Sequence, residues 1–151
     1  MGIIDQLNRD VFPDPLTRPN YIQGVVTHGL HSPGPNDPFF AVHAAHGTIA
    51  LAAMPRADFK GKPSASVPFA PTSRYLLRTL TASPVLAAVG FPPLEFMLLQ
   101  LEKLAINAII NPLTVMLDAP NGSILYNFAI TRTLRLLLAE ISLVIRSLPE
   151  L

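Results

Sequence analysis

The sequence predicts an α/β fold that gives way to an all-α segment. Up to roughly Pro93, short β-rich apolar runs are broken by Pro and Gly. Beyond it, Leu, Ile and Ala recur almost without interruption at helical spacing. Runs of strand and loop followed by runs of helix imply two structural units within a chain of 151 residues, about the length of one ordinary domain. Half of the residues are hydrophobic and 14% are charged, so apolar surface is ample to offset chain entropy and the chain as a whole is not disordered.

Each element follows from local pattern. Ile3, Ile4 and Leu7 recur at helical spacing, so a short helix is expected before Pro13 and Pro15. Tyr21 to Leu30 (YIQGVVTHGL), bounded by Pro19-Asn20 and His31-Ser32-Pro33, reads as a strand, and HSPGPNDP after it as a loop. Phe39 to Ala53 (FFAVHAAHGTIALAA) reads as two strands turning near His46-Gly47, since glycine tolerates the positive φ of a hairpin. Residues 54–73 hold four prolines, Gly61 and two lysines without periodicity, and disorder is expected there. Arg74 to Thr81 predicts a short helix, and Val85 to Phe91 a short strand after Pro84. Leu94 to Leu117 is a helix by periodicity; Asn121-Gly122 after Pro120 breaks it, and Ile124 to Leu148 forms the next, with Pro149 near its stop.

Composition excludes several classes of function. Eleven Lys and Arg balance ten Asp and Glu, so the basic field that nucleic-acid binding needs is missing. Cysteine is absent, which removes disulfides, thiolate zinc sites and cysteine nucleophiles. No run offers about 20 clean apolar residues, so a spanning helix is not expected. The amino terminus carries no readable address: Gln6 stands where a myristoylation motif wants Ser or Thr.

The helix around Lys103 carries the strongest chemical signal. At about 100° per residue, Gln100, Lys103, Asn107, Asn111 and Thr114 fall within an arc of about 80°. Almost everything else on it is apolar, so this helix is expected to be mostly buried with one narrow polar stripe. Such a stripe is either a thin solvent strip or the lining of a polar cavity. In a cavity, lysine binds a carbonyl or carboxylate oxygen and donates a proton, while asparagines serve hydroxyls and carboxylates. Pro112, inside the helical run, removes a backbone bond and is expected to kink the helix beside these groups, as at many functional sites.

At these residues the chain resembles a known family. KLAINAIINPLTVMLDAPNG, Lys103 to Gly122, closely resembles the signature helix of the ketopantoate reductases (2-dehydropantoate 2-reductases), with the lysine, both asparagines, the Asn-Pro pair and the closing Pro-Asn-Gly. YIQGVVTHGL and HAAHGTIALA look, more weakly, like later strands of that family's nucleotide-binding domain. The resemblance implies NADPH-dependent reduction of ketopantoate to pantoate, on the route to coenzyme A. It implies a partial Rossmann-type NADP-binding domain over 1–92. It also implies the first helices of a 6-phosphogluconate-dehydrogenase-like helical domain, for substrate binding and dimerisation, over 93–151. Lys103 matches the catalytic lysine that binds the keto oxygen and gives the proton; Asn107 and Asn111 match the substrate-contacting asparagines. Glu140 is a candidate for a family acidic position, beside its reading as an exposed helix-face carboxylate. An intracellular enzyme, cytoplasmic or mitochondrial, is the expected setting.

The departures from the family shape the expectation. Its members are about twice as long and open with a GxGxxG loop that seats the pyrophosphate at a helix N-terminus; no GxGxxG occurs here. The chain reads as the middle of the enzyme with both ends missing. Uncovered apolar surfaces and homo-oligomerisation through exposed helices are therefore expected. A non-catalytic remnant or helical interaction protein is the alternative reading.

The remaining candidates carry less. His43 and His46, three apart on a strand, would point to opposite faces, and no metal site is expected from them. His28, beside Gly29 at a strand end, is either a ligand contact or, as favoured, a structural histidine. Lys60-Gly61-Lys62 lacks the spacing of a phosphate loop, and no GxSxG elbow is present. Arg132, Arg135 and Arg146 among leucines permit a membrane-surface helix, but packing of its apolar face on the Lys103 helix is expected.

Overall fold

A computed structural model describes residues 2–54, 69–125 and 127–148. The chain divides into two compact units, Met1–Phe96 and Met97–Leu151.

The first unit is a small sheet with helices. Helix α1 (Ile3–Asp10) forms as its apolar spacing predicts, and Tyr21 Oη donates to Asn8 Oδ1 at 3.0 Å, tying it to the start of the sheet. The expected strand over Tyr21 to Leu30 is two strands, β1 (Ile22–Val26) and β2 (Gly29–His31), separated by Thr27-His28. Strands β3 (Val42–Ala45) and β4 (Ile49–Ala53) follow. They do not turn back on each other at His46-Gly47, as the sequence suggested. Instead β4 pairs antiparallel with β1, Ile22 opposite Ala53 and Val26 opposite Ile49, while β3 pairs antiparallel with β2. One long ribbon results, and its turn is the proline-bearing loop 32–41 that the composition marked.

The reason is local. A tight hairpin at Gly47 would use a positive φ, yet the described glycines with positive φ are Gly2 and Gly34. Gly47 serves close approach instead: a Cβ there would lie 2.5 Å from the carbonyl carbon and oxygen of Thr27. At this kink Thr27 N–H donates to Thr48 O at 2.9 Å, and Thr48 N–H to Thr27 Oγ1 at 2.8 Å, so the two arms stay joined between their ladders.

Strand β4 is also the centre of a three-stranded sheet, order β1-β4-β5. It pairs parallel with β5 (Ala88–Gly90) through Ile49 to Leu51 opposite Ala88 to Gly90. Parallel neighbours need a crossover, and α2 (Pro71–Thr81), which packs on β5, provides it. Ala50, Leu51, Ala52 and Ala53 are consecutively buried, so both faces of β4 are covered; Ala88 of β5 and Phe96 are buried as well. The disorder expected over 54–73 falls mainly outside the described residues. At its ends it is corrected: Met54 N–H extends the sheet to Tyr21 O at 2.9 Å, and Pro71 to Ser73 form the first turn of α2, where proline's fixed φ suits the N1 position.

The second unit is helical. Helix α3 (Pro93–Leu117) runs through Pro112 without interruption and ends at Asp118, whose φ of 46° is left-handed. The expected break at Asn121-Gly122 is itself the start of a short helix, α4 (Asn121–Leu125). The single helix expected from Ile124 to Leu148 is therefore two. Its main part, α5 (Phe128–Arg146), starts at Asn127, whose side chain accepts Ala129 N–H at 3.0 Å. That bond satisfies an orphan donor of the first turn, so Asn127→Ala is expected to cost about 1 kcal/mol, read as a lower unfolding midpoint in urea.

Ile109, Leu113 and Ile124 form the core of this unit, with Ile130, Leu134, Leu137 and Ile141 of α5 packed against them. The packing expected between the apolar face of α5 and the Lys103 helix is thus present. The expected burial of most of α3 outside its polar stripe is not: Leu104, Ile106, Val115, Met116 and Leu117 are exposed, Val115 and Met116 by 80% each. Apolar composition alone buries nothing; a face needs an opposing element, and α5 opposes one face only. No helix among the described residues is long and apolar enough to cross a membrane.

Candidate functional site

Helix α3 sets the geometry of the predicted stripe. Lys103, Asn107 and Asn111 stand at i, i+4 and i+8, which places successive side chains about 6 Å apart along one side of the helix. Lys103 is half-buried, as are Gln100 and Thr114, while Asn107 and Asn111 are exposed. The buried positions Ile109 and Leu113 lie on a different arc of the wheel, so the stripe is a polar wall beside the helical core and not part of it. Glu140 is exposed on α5.

A cation and two amides in a row can hold a small polar anion. The ammonium offers three donors and a transferable proton; each amide adds two donors and one acceptor oxygen. Thr114, which spacing put on the same stripe, is already engaged: its Oγ1 donates to Asn111 O at 2.8 Å. The residue pattern showed the position of Thr114 but not this bond, because a hydroxyl on a helix turns either to a ligand or to its own backbone.

The histidines at the ribbon kink form a cluster that sequence spacing missed. His43 and His46 do not diverge: their rings meet edge to face with centroids 4.6 Å apart, because His46 lies past the end of β3, where strand alternation no longer applies. His28 Nδ1 lies 3.0 Å from His43 Nε2 and receives Gly47 N–H at 3.1 Å; its Nε2 is 3.2 Å from Leu86 O. A backbone carbonyl can only accept and a backbone N–H can only donate, so these partners assign the proton of His28 to Nε2 and leave Nδ1 as acceptor. Both nitrogens serve the backbone, and His28 is a structural pin. Among the described residues no group of three or more His, Cys, Asp or Glu is arranged to hold a metal ion.

Comparison with known proteins places the stripe in a family context. Residues 95–150, which include Lys103, Asn107 and Asn111, match the family model described as "Ketopantoate reductase PanE/ApbA C terminal". A "Probable 2-dehydropantoate 2-reductase" of Schizosaccharomyces pombe is 33% identical over 129 residues, 84% of this chain and 34% of the relative. A "2-dehydropantoate 2-reductase" of Saccharomyces cerevisiae is 28% identical over 126 residues, 81% of this chain and 32% of the relative. "Ketoisovalerate reductase BEA2" of Gibberella fujikuroi is 31% identical over 139 residues, 86% of this chain and 28% of the relative. No solved structure matches. The similarity extends well upstream of the helical segment, to more than four-fifths of the chain. The chain therefore belongs to the ketopantoate reductase family and spans about a third of the length of the curated relatives it matches.

Proposed function

We propose that this chain carries the substrate-side wall of an NADPH-dependent 2-oxo acid reductase that converts 2-dehydropantoate to pantoate, in pantothenate and coenzyme A biosynthesis. In this reading the Lys103 ammonium binds the keto oxygen and gives up a proton from Nζ as that oxygen becomes an alkoxide. Asn107 and Asn111 orient the hydroxyl and the carboxylate. The observation that carries the reading is the row of Lys103, Asn107 and Asn111 on one side of α3, inside the segment that the family model matches. Two relatives are named for 2-dehydropantoate and two for ketoisovalerate, so the choice between these substrates rests on the stripe itself. Two amides beyond the lysine suit ketopantoate, which has both a carboxylate and a hydroxyl to satisfy; ketoisovalerate would leave one amide idle.

Residues 1–92 are read as the later part of a Rossmann-type NADP-binding domain, on the strength of the β4–α2–β5 crossover, and 93–151 as the start of the helical substrate-binding and dimerisation domain. The described residues do not fit the dinucleotide itself. A pyrophosphate needs a glycine-rich turn from strand into helix, whereas β5 enters α3 through Phe91-Pro92 and α2 begins at Pro71 after Ala70. What this chain offers is the groups facing the substrate. The 151-residue chain is accordingly expected to bind NADPH only weakly in a fluorescence titration. A dissociation constant in the low micromolar range would overturn that expectation.

Exposed apolar side chains favour a second reading, association with another chain through the helices. Leu104, Val115, Met116, Phe128 and Leu143 are exposed large apolar side chains on α3 and α5, the kind of surface that association covers. Ketopantoate binding by calorimetry, compared between the chain and Lys103→Ala, separates the two: binding lost in the variant supports the reductase wall, and binding absent from both supports the interaction protein.

A further inference from the structure

Thr114 belongs to the polar stripe but has no part in the reductase reading. Its surroundings give it one. Asn111 stands directly before Pro112, and α3 passes through both. That turn is weakened twice. The proline ring disfavours the helical region for the residue before it, and Pro112 has no N–H to give to the Ala108 carbonyl. Beyond this turn α3 has only a short tail, Pro112 to Leu117, closed by the left-handed Asp118. Terminal turns open readily, so Asn111 stands at the junction with a short tail that is weakly held at its base.

Thr114 spans that junction. Its Oγ1 donates to Asn111 O at 2.8 Å, and its own carbonyl accepts Ala119 N–H at 3.1 Å from beyond the helix end. The residue is half-buried, and its β-branch restricts the hydroxyl to few rotamers. Hydroxyl bonds to a preceding carbonyl also occur at Thr79, Thr81, Thr131 and Ser147, where no proline follows the acceptor. Another occurs at Thr17, whose acceptor Asp14 does precede a proline but lies in a turn outside any helix. We propose that Thr114 is a positioning residue: by holding the Asn111 peptide in helical orientation against Pro112, it fixes the direction in which the Asn111 amide leaves the stripe. The structural part of this inference stands alone; its bearing on substrate rests on the reading of Asn111 as a substrate contact.

Thr114→Val removes the donor while keeping the shape, and Thr114→Ser keeps the donor. In the full chain labelled with nitrogen-15, Thr114→Val is expected to shift the Asn111 side-chain amide resonances. It should also speed amide exchange over residues 113–118 about fivefold, the loss of one hydrogen bond's worth of protection, while residues 98–106 stay unchanged. Thr114→Ser should restore both. Unchanged Asn111 resonances and exchange in Thr114→Val would overturn the proposal, as would equal changes in Thr114→Ser. Ketopantoate titration then tests the consequence: Thr114→Val should weaken binding about fivefold, and the effect should vanish in an Asn111→Ala background. Binding weakened by Asn111→Ala but untouched by Thr114→Val overturns the positioning role. Resonance and exchange changes in Thr114→Val, with ketopantoate binding insensitive to Asn111→Ala, uphold that role and remove Asn111 from the substrate site.

Discussion

Gly47→Ala is expected to destabilise the first unit by about 3 kcal/mol or more. An added Cβ would lie 2.5 Å from both the carbonyl carbon and the oxygen of Thr27, and 2.6 Å from His28 N. All three are backbone atoms, so no side chain can swing away and the arms of the ribbon must part. Parting them also strains the bond from Gly47 N–H to His28 Nδ1, and through His28 its contact with Leu86 O before β5. One methyl group therefore acts on the kink and on the approach to the parallel strand together. Gly90→Ala is the control, because nothing lies within 4 Å of a Cβ at that position. Urea unfolding followed by far-ultraviolet circular dichroism should show a clearly lowered midpoint for Gly47→Ala and little change for Gly90→Ala. Equal midpoints for the two variants would mean that the close approach at Thr27 does not constrain the ribbon.

The same glycine marks where the sequence stopped being readable. Helices α1, α2 and α3 were legible because their periodicity is local, and the β-rich runs were legible as strands for the same reason. Pairing is not local. Gly47 admits two roles, a positive-φ turn or a close contact, and nothing in the neighbouring residues selects between them; the choice is made by Thr27, twenty residues earlier. The turn role produced a short hairpin, whereas the contact role produces the long ribbon closed by loop 32–41. His43 and His46 depart from expectation for a related reason: strand alternation sets faces only within β3, which ends at Ala45, and His46 lies beyond it. The break before α5 was different: Asn127 is a residue type that favours helix N-caps, so the signal was present but hidden in an apolar run. For the stripe, spacing put Lys103, Asn107, Asn111 and Thr114 on one side of α3 correctly. It overstated the burial of that helix, because burial depends on what stands opposite and not on the helix itself.

In the proposed reductase reading, Lys103→Ala is expected to lower turnover about a hundredfold to ten-thousandfold in NADPH oxidation with ketopantoate. The magnitude follows from chemistry that no other member of the stripe can replace. Hydride addition leaves charge on the keto oxygen, which needs a positive partner and then a proton. Gln100, Asn107, Asn111 and Thr114 are neutral, and their N–H and O–H groups donate hydrogen bonds without being practical proton donors near neutral pH. Lys103→Arg separates the two duties. Guanidinium keeps the positive charge but holds its protons far too tightly to give one up, so this variant should retain ketopantoate binding in calorimetry while losing turnover. Activity equal to that of the unaltered chain in Lys103→Ala would remove the lysine from the chemistry. No turnover in either, from protein shown to be folded, would leave α3 as a helix that carries a polar stripe without the proposed reaction. The exposed apolar faces of α3 and α5 would then be the features that act.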